Sequence, residues 1–314
     1  MDSFETGKAN YANGDFDSAI DMFNQALRLD PLRPDIFAYR ASAYRKSGNI
    51  ERAIEDYSQA ILLDPDYDFA LHARGALHDQ RGNSDLAIAD FSVLIRLDEK
   101  DAARWLRRSC VYARFDYAKA ISDLDMAIHL NPRLVSAYYN RGFVRKELGQ
   151  LQLAIDDFSA AIELSPKDAG SFAQRGMIFG RLGDFVLAIA DLTETIRLEP
   201  ADARAFRNRG IAFEKKGDLD LALSDLCEAI RLDPTDSLSY CFRGRVQMAC
   251  NELEMTVADL TTAIWLNPRD PFAFQIRGEA YSRLGDFAQS MQDLDQAKFL
   301  ERNNGGESNR SEKR

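Results

Sequence analysis

The sequence has little of what active sites are usually built from. Its 314 residues include only three histidines and four cysteines. His72 and His78 are six residues apart, which puts them on different faces of one predicted helix, whereas zinc-binding pairs prefer a spacing of four. The motifs HExxH and GxSxG, a Walker loop, and a GxGxxG before a helix are all missing. We therefore predict no catalytic residue, no metal and no cofactor, and expect that the chain is not an enzyme.

Charge and hydrophobicity argue against two further classes of protein, nucleic-acid binders and membrane proteins. The net charge of −10 is opposite to the basic surplus of a general nucleic-acid binder. No apolar run approaches the ~18 residues that a membrane helix needs, so we expect no membrane partner. The cysteines lack CxxC spacing and fall in predicted helices, as reduced packing residues do, which predicts a cytoplasmic location. They are Cys110, Cys227, Cys241 and Cys250.

Instead, the sequence repeats one unit about every 34 residues. The clearest copy is VSAYYNRGFVRKELGQLQLAIDDFSAAIELSP, residues 135–166. Its first half has helical spacing up to Leu148-Gly149, and its second half has an apolar stripe that ends at Ser165-Pro166. The in-phase prolines are Pro31, Pro65, Pro132, Pro166, Pro200, Pro234 and Pro268, and the in-phase glycines are Gly7, Gly75, Gly142, Gly176, Gly210, Gly244 and Gly278.

A helix–turn–helix unit of this length and pattern resembles the tetratricopeptide (TPR) repeat. The resemblance implies an all-α fold, a right-handed α-solenoid superhelix of stacked units over 1–302. The predicted repeats are 1–33, 34–67, 68–101, 102–134, 135–168, 169–202, 203–236, 237–270 and 271–302. Repeat four lacks the Leu-Gly turn over 112–117 and is one residue short, which predicts a tightened turn. The polar segment 303–314 is predicted to be disordered.

One pattern goes beyond the generic repeat. The residue before the small contact position is arginine in eight copies, and the second helix of the same copies carries an aspartate. Repeat one lacks both, which suggests that the two residues are partners. We predict structural pairs that brace each repeat; the alternative is that the arginines bind a ligand. The pairs are Arg40–Asp56, Arg74–Asp90, Arg108–Asp123, Arg141–Asp157, Arg175–Asp191, Arg209–Asp225, Arg243–Asp259 and Arg277–Asp293.

In TPR arrays the first helices line a concave face where partners bind, and the resemblance implies the same here. The inward positions combine cationic, aromatic and aliphatic side chains, the composition of a protein-binding patch. Alternatively, these side chains fill the groove and contact each other. The predicted partner-binding residues are Tyr39, Arg45, Phe69, His72, Arg107, Arg114, Tyr139, Asn140, Phe143, Lys146, Gln174, Met177, Arg181, Arg207, Asn208, Ile211, Phe242, Arg245 and Met248.

These features predict a non-catalytic scaffold or adaptor that binds an extended, acidic peptide or protein segment in the concave groove. The alternative is a regulatory TPR subunit or domain that acts with a separate enzyme. Capture of the C-terminal tails of the Hsp70 and Hsp90 chaperones is disfavoured. The Asn-Arg of Asn140 and Asn208 resembles their clamp, but Met177 and Cys110 lie where an asparagine is required. Self-association through the terminal repeats stays open.

Overall fold

The computed structural model describes the backbone of residues 2–311 and the side chains of residues 2–303. Within this range the chain forms eighteen α-helices and no strand, which confirms the all-α fold of repeated helix pairs. The helices are α1 Ser3–Ala12, α2 Phe16–Leu29, α3 Pro34–Lys46, α4 Ile50–Leu63, α5 Asp68–Gln80, α6 Ser84–Leu97, α7 Ala102–Tyr112, α8 Tyr117–Leu130, α9 Val135–Glu147, α10 Leu151–Leu164, α11 Ala169–Leu182, α12 Phe185–Leu198, α13 Ala203–Lys216, α14 Leu219–Leu232, α15 Ser237–Ala249, α16 Leu253–Leu266, α17 Pro271–Leu284 and α18 Phe287–Ser311.

Local signals in the sequence set the ends of these helices. The Asp202 carboxylate accepts hydrogen bonds from the backbone N–H groups of Arg204 and Ala205, at 2.9 and 3.1 Å, and so caps α13. Proline occupies the start of α3 and α17, where its missing N–H costs nothing. Gly183 ends α11 with a φ of 89°, a left-handed conformation that favours glycine. Asn251 adopts a φ of 62° in the corresponding turn of repeat eight, so asparagine sustains that turn.

The residues group into two compact units that divide after Asp157, within α10. In each unit the core is a series of small clusters between successive helices rather than one large centre. In the first unit, Phe4, Phe23 and Ile36 join α1, α2 and α3. In the second unit, Cys241, Leu260 and Ile276 join α15, α16 and α17 in the same way. Each cluster therefore links the two helices of one repeat to the first helix of the next, as nearest-neighbour stacking requires.

One detail differs from expectation. The connection in repeat four, residues 113–116, is longer than the three residues 47–49 between α3 and α4, and α7 has only 11 residues. The predicted tightened turn is therefore wrong: the missing residue shortens the helix, and Asp116 then caps α8 through the N–H of Lys119. In the described backbone α18 extends to Ser311, and the disorder of 303–314 stays a prediction. Residues 312–314 lie outside the described residues.

Candidate functional site

The arginines that precede the small contact position form repeated ion pairs. Nε and Nη2 of each one donate to the aspartate named above, with nitrogen–oxygen distances between 2.6 and 3.2 Å. The aspartates are buried; Asp225, for example, is 6% exposed. A planar guanidinium meets a carboxylate in this two-point geometry, which restricts the orientation of both helices in a repeat.

The third guanidinium nitrogen reaches into the preceding repeat, a contact that the sequence reasoning missed. Nη1 donates to a side chain on the second helix of that repeat, 16 residues before the arginine. The acceptor atom belongs to an asparagine, serine, aspartate, threonine or cysteine, at 2.6 to 3.4 Å. The sequence does contain a signal for this contact, because a residue that can accept a hydrogen bond lies two positions after the aspartate of the preceding repeat. The acceptors are Asn24, Ser58, Ser92, Asp125, Ser159, Thr193, Cys227 and Thr261.

Aromatic rings on the same helix occupy the faces of most of these guanidinium groups. Arg209 lies 5.6 Å from the ring centroid of Phe206 and 5.8 Å from that of Phe213. Arg74 has no such rings, because Leu71 and His78 hold the corresponding positions. Each of these arginines already contacts the aspartate of its own repeat and a side chain of the preceding repeat, and most also contact aromatic rings. Few of their donor atoms are free to bind a ligand, which favours bracing over ligand binding.

The predicted groove residues of the first unit mostly contact one another or their neighbours. The Tyr39 ring packs 5.5 Å from Phe4 and 6.0 Å from Phe23, measured between centroids. Phe69 packs in the same way against Tyr57 and Tyr67, and His72 against Phe91.

Several polar groove residues of this unit also contact other side chains of the chain. Arg114 forms an ion pair with Asp79, and Asn140 donates to the Cys110 sulfur at 3.5 Å. Lys146 covers the Phe143 ring at 4.3 Å. Arg45 and Arg107 are exposed, and Tyr139 is half-buried on α9. This part of the predicted surface has fewer available groups than the sequence suggested.

The groove residues between repeats seven and eight, and between eight and nine, contact their neighbours in a similar manner. Arg245 forms an ion pair with Glu214 and stacks over Phe242 and Phe272, at 4.8 and 5.6 Å from their ring centroids. Arg207 donates to Asp236 at 2.7 Å. Met248 packs against the cluster around Leu260. Here the side chains fill the space between the first helices.

Repeats six and seven are different, because four predicted residues surround an open cavity there. Met177 and Arg181 come from α11, and Asn208 and Ile211 come from α13. The cavity has a volume of about 360 Å³. Its floor is apolar and includes Phe185, Ala188 and Leu192 of α12, together with Ala212. Gln174, half-buried, lies one turn before Met177 on α11.

The rim of this cavity carries positive charge. Lys215 joins Arg181 there, and among the described residues neither forms an ion pair. Glu214, the carboxylate next to Lys215 in the chain, is already held by Arg245. The cavity therefore combines an apolar floor with two cationic groups, and Asn208 adds an amide that can donate and accept hydrogen bonds. Sequence reasoning omitted Gly180 and the floor residues from the site, because their importance depends on what the neighbouring helix leaves uncovered.

The described residues lack two other kinds of functional feature. They contain no group of three His, Cys, Asp or Glu placed to hold a metal ion. Within the same range, no helix is both long and apolar enough to cross a membrane.

Known families and structures are consistent with this architecture. Two sequence models of the tetratricopeptide repeat match the chain, one over 106–173 and the other over 4–68, 39–102 and 174–237. None of the curated proteins matches it.

Among solved structures, YrrB, described as a TPR protein with an unusual peptide-binding site, is 23% identical with a TM-score of 0.52. The match covers 58% of this chain and 95% of YrrB. A tetratricopeptide repeat protein from Parabacteroides merdae is 19% identical over 78% of this chain and 97% of its own, with a TM-score of 0.58. The APC/C hetero-tetramer Cut9–Hcn1 matches at 19% identity and a TM-score of 0.59, over 84% of this chain and 52% of that one. At these identities the likeness concerns the fold.

Proposed function

Because the chain belongs to the tetratricopeptide repeat family, we propose that it is a non-catalytic scaffold that binds an extended, acidic segment of a partner protein. The family fold generally serves protein interaction rather than catalysis. The observation that carries the proposal is the open cavity between α11 and α13, where Met177, Arg181, Asn208 and Ile211 come together. One structural neighbour is described as having a peptide-binding site, which supports testing a peptide first.

The preference for an acidic segment follows from charges that have no internal partner. Several predicted cationic residues are neutralised within the chain, such as Arg114 by Asp79 and Arg207 by Asp236. Arg181 and Lys215 keep their charges beside the cavity. Carboxylates on a bound segment would pair with them, and salt would weaken that attraction because both groups are exposed.

The experiment uses three fluorescein-labelled decapeptides of Ser, Gly and a central Leu that carry Glu, Gln or Lys at the same four positions. Fluorescence anisotropy at low and high salt measures their binding to the full chain. We expect the Glu probe to bind most tightly and to weaken with salt. The double variant Arg181→Gln/Lys215→Gln should weaken that binding.

The matched control is Arg197→Gln/Arg231→Gln. It removes the same charge from second helices, where both arginines already pair with glutamates. Equal weakening by both double variants, or equal binding of the Glu and Gln probes, would contradict the proposed function.

A further inference from the structure

Gly180 lies in the last turn of α11, three residues before the glycine that ends the helix, and neither backbone nor packing requires glycine there. Its φ is not among the positive values found at the turn glycines. A Cβ added there would have the Ala188 Cβ, at 3.9 Å, as its nearest neighbour, which is an ordinary contact. Glycine in a helix costs about 1 kcal/mol relative to alanine. Glycine at position 180 therefore lowers the stability of the helix without relieving a strained backbone or a steric clash.

Most other repeats place a longer side chain at the corresponding position, four residues after the small contact position. Repeat eight is the clearest comparison, because its Met248 packs onto the Leu260 cluster and helps to close the groove. In repeat six the glycine places no side chain in the equivalent space, and Ala188 and Leu192 line the cavity although they are 0% and 1% exposed. The corresponding residues are Tyr11, Arg45, Asp79, Lys146, Glu214 and Met248, whereas repeats four and nine have the small residues Ala113 and Ser282 there.

The walls and rim specify what the opening can hold. Met177 and Ile211 line it on either side, and Met177 is 40% exposed although it is a large apolar group. The volume of about 360 Å³ lies near the lower end of ligand sites, a size suited to a bulky side chain and its adjoining backbone. Arg181 and Lys215 then lie where the residues flanking such a side chain would pass.

We propose that the Gly180 cavity binds one bulky apolar side chain of the partner segment, and that Arg181 and Lys215 pair with acidic residues flanking it. This inference rests on the proposed function and specifies the kind of segment: an acidic stretch interrupted by a single Leu, Met or Phe. The apolar residue buries its surface against the apolar lining of the cavity, and the carboxylates match the charge of the rim.

The test uses Glu-containing decapeptides that differ only at the central residue, which is Phe, Leu, Met or Ala. For the unaltered chain we expect the best of the three bulky probes to bind at least about tenfold more tightly than the Ala probe, as burial of one such side chain implies. Gly180→Met should abolish this difference by filling the cavity as Met248 does in repeat eight. Gly180→Ala, which adds one methyl group in ordinary contact with Ala188, should retain most of it.

Each outcome has a defined meaning when thermal unfolding shows both variants to be folded. Equal binding of bulky and Ala probes by the unaltered chain, or an undiminished difference in Gly180→Met, overturns the cavity inference. If the Ala probe still binds in a manner that depends on Arg181 and Lys215, the proposed function survives that failure. If Gly180→Met changes the sedimentation coefficient of the chain alone, a second copy occupies the cavity, and the inference is also overturned.

Discussion

The replacement Asp225→Ala tests whether the arginine–aspartate pairs hold the repeats together. In the native chain Asp225 accepts bonds from Nε and Nη2 of Arg209, both at 2.8 Å. Removal of the carboxylate leaves a guanidinium that is only 17% exposed and has lost its charge partner. Breaking one side of a buried pair typically costs about 3–5 kcal/mol. We expect a loss near 3 kcal/mol, because Arg209 keeps its bond to Thr193 and its contacts with Phe206 and Phe213.

Urea unfolding followed by circular dichroism measures this free energy, and hydrogen exchange should show the loss concentrated in α13 and α14. The matched control is Glu228→Ala on the same helix, which breaks an exposed pair with Arg231 and should leave stability nearly unchanged. Equal destabilisation by the two replacements would refute the reasoning, because burial is the property that distinguishes the two pairs. A loss of stability in Asp225→Ala without faster exchange in α13 and α14 would contradict the assigned location.

Two further predictions concern single positions. Gly210→Ala should lose about 1–3 kcal/mol of stability, because the new Cβ would lie 3.0 Å from Leu226 Cγ and 3.2 Å from the Ala222 carbonyl oxygen. Gly180→Ala should instead gain up to about 1 kcal/mol, and urea unfolding that ranks the two in reverse order would be inconsistent with the packing described. Burial lowers the pKa of His78, with Arg74 and Arg81 acting in the same direction and Asp90 against it. The neutral ring is therefore favoured in the folded chain, and stability should fall as pH drops below about 6.5. His78→Phe should reduce that fall in urea titrations between neutral and mildly acidic pH; an unchanged slope would exclude His78 as its source.

The repeat architecture was predictable because its signals are local and occur many times. A proline after most second helices and a small residue in each first helix recur in phase, so an exception in one copy does not obscure the pattern. The exceptions were harder to interpret. Asn251 sustains its turn in place of glycine, whereas in the shortened repeat four the missing residue shortens α7 and not the connection that follows it. A deletion can be absorbed by either element, and sequence spacing does not distinguish the two.

The candidate site was predictable only in part, for a different physical reason. The resemblance to TPR arrays placed Met177, Arg181, Asn208 and Ile211 on the relevant helix faces, and the structure brings them to one cavity. It also placed Arg245 and Phe242 on such faces, yet these side chains close the space between their helices. Whether a position is open depends on the lengths and charges of side chains one repeat away. Glu214, for example, forms an ion pair with Arg245, whereas Arg181 has no such partner among the described residues.

The bracing pairs and the cavity are connected through the nearest-neighbour character of the array. Because each arginine contacts its own repeat and the one before it, the stability of repeat six depends mainly on Arg175, Asp191 and Ser159, together with Arg209 and Thr193. Gly180 takes part in none of these contacts. Its helical cost of about 1 kcal/mol is smaller than the contribution expected of one buried pair. A repeat that is held by such pairs can therefore lose the side chain over its floor and remain folded, which allows a binding cavity to form in one repeat while the neighbouring grooves stay closed.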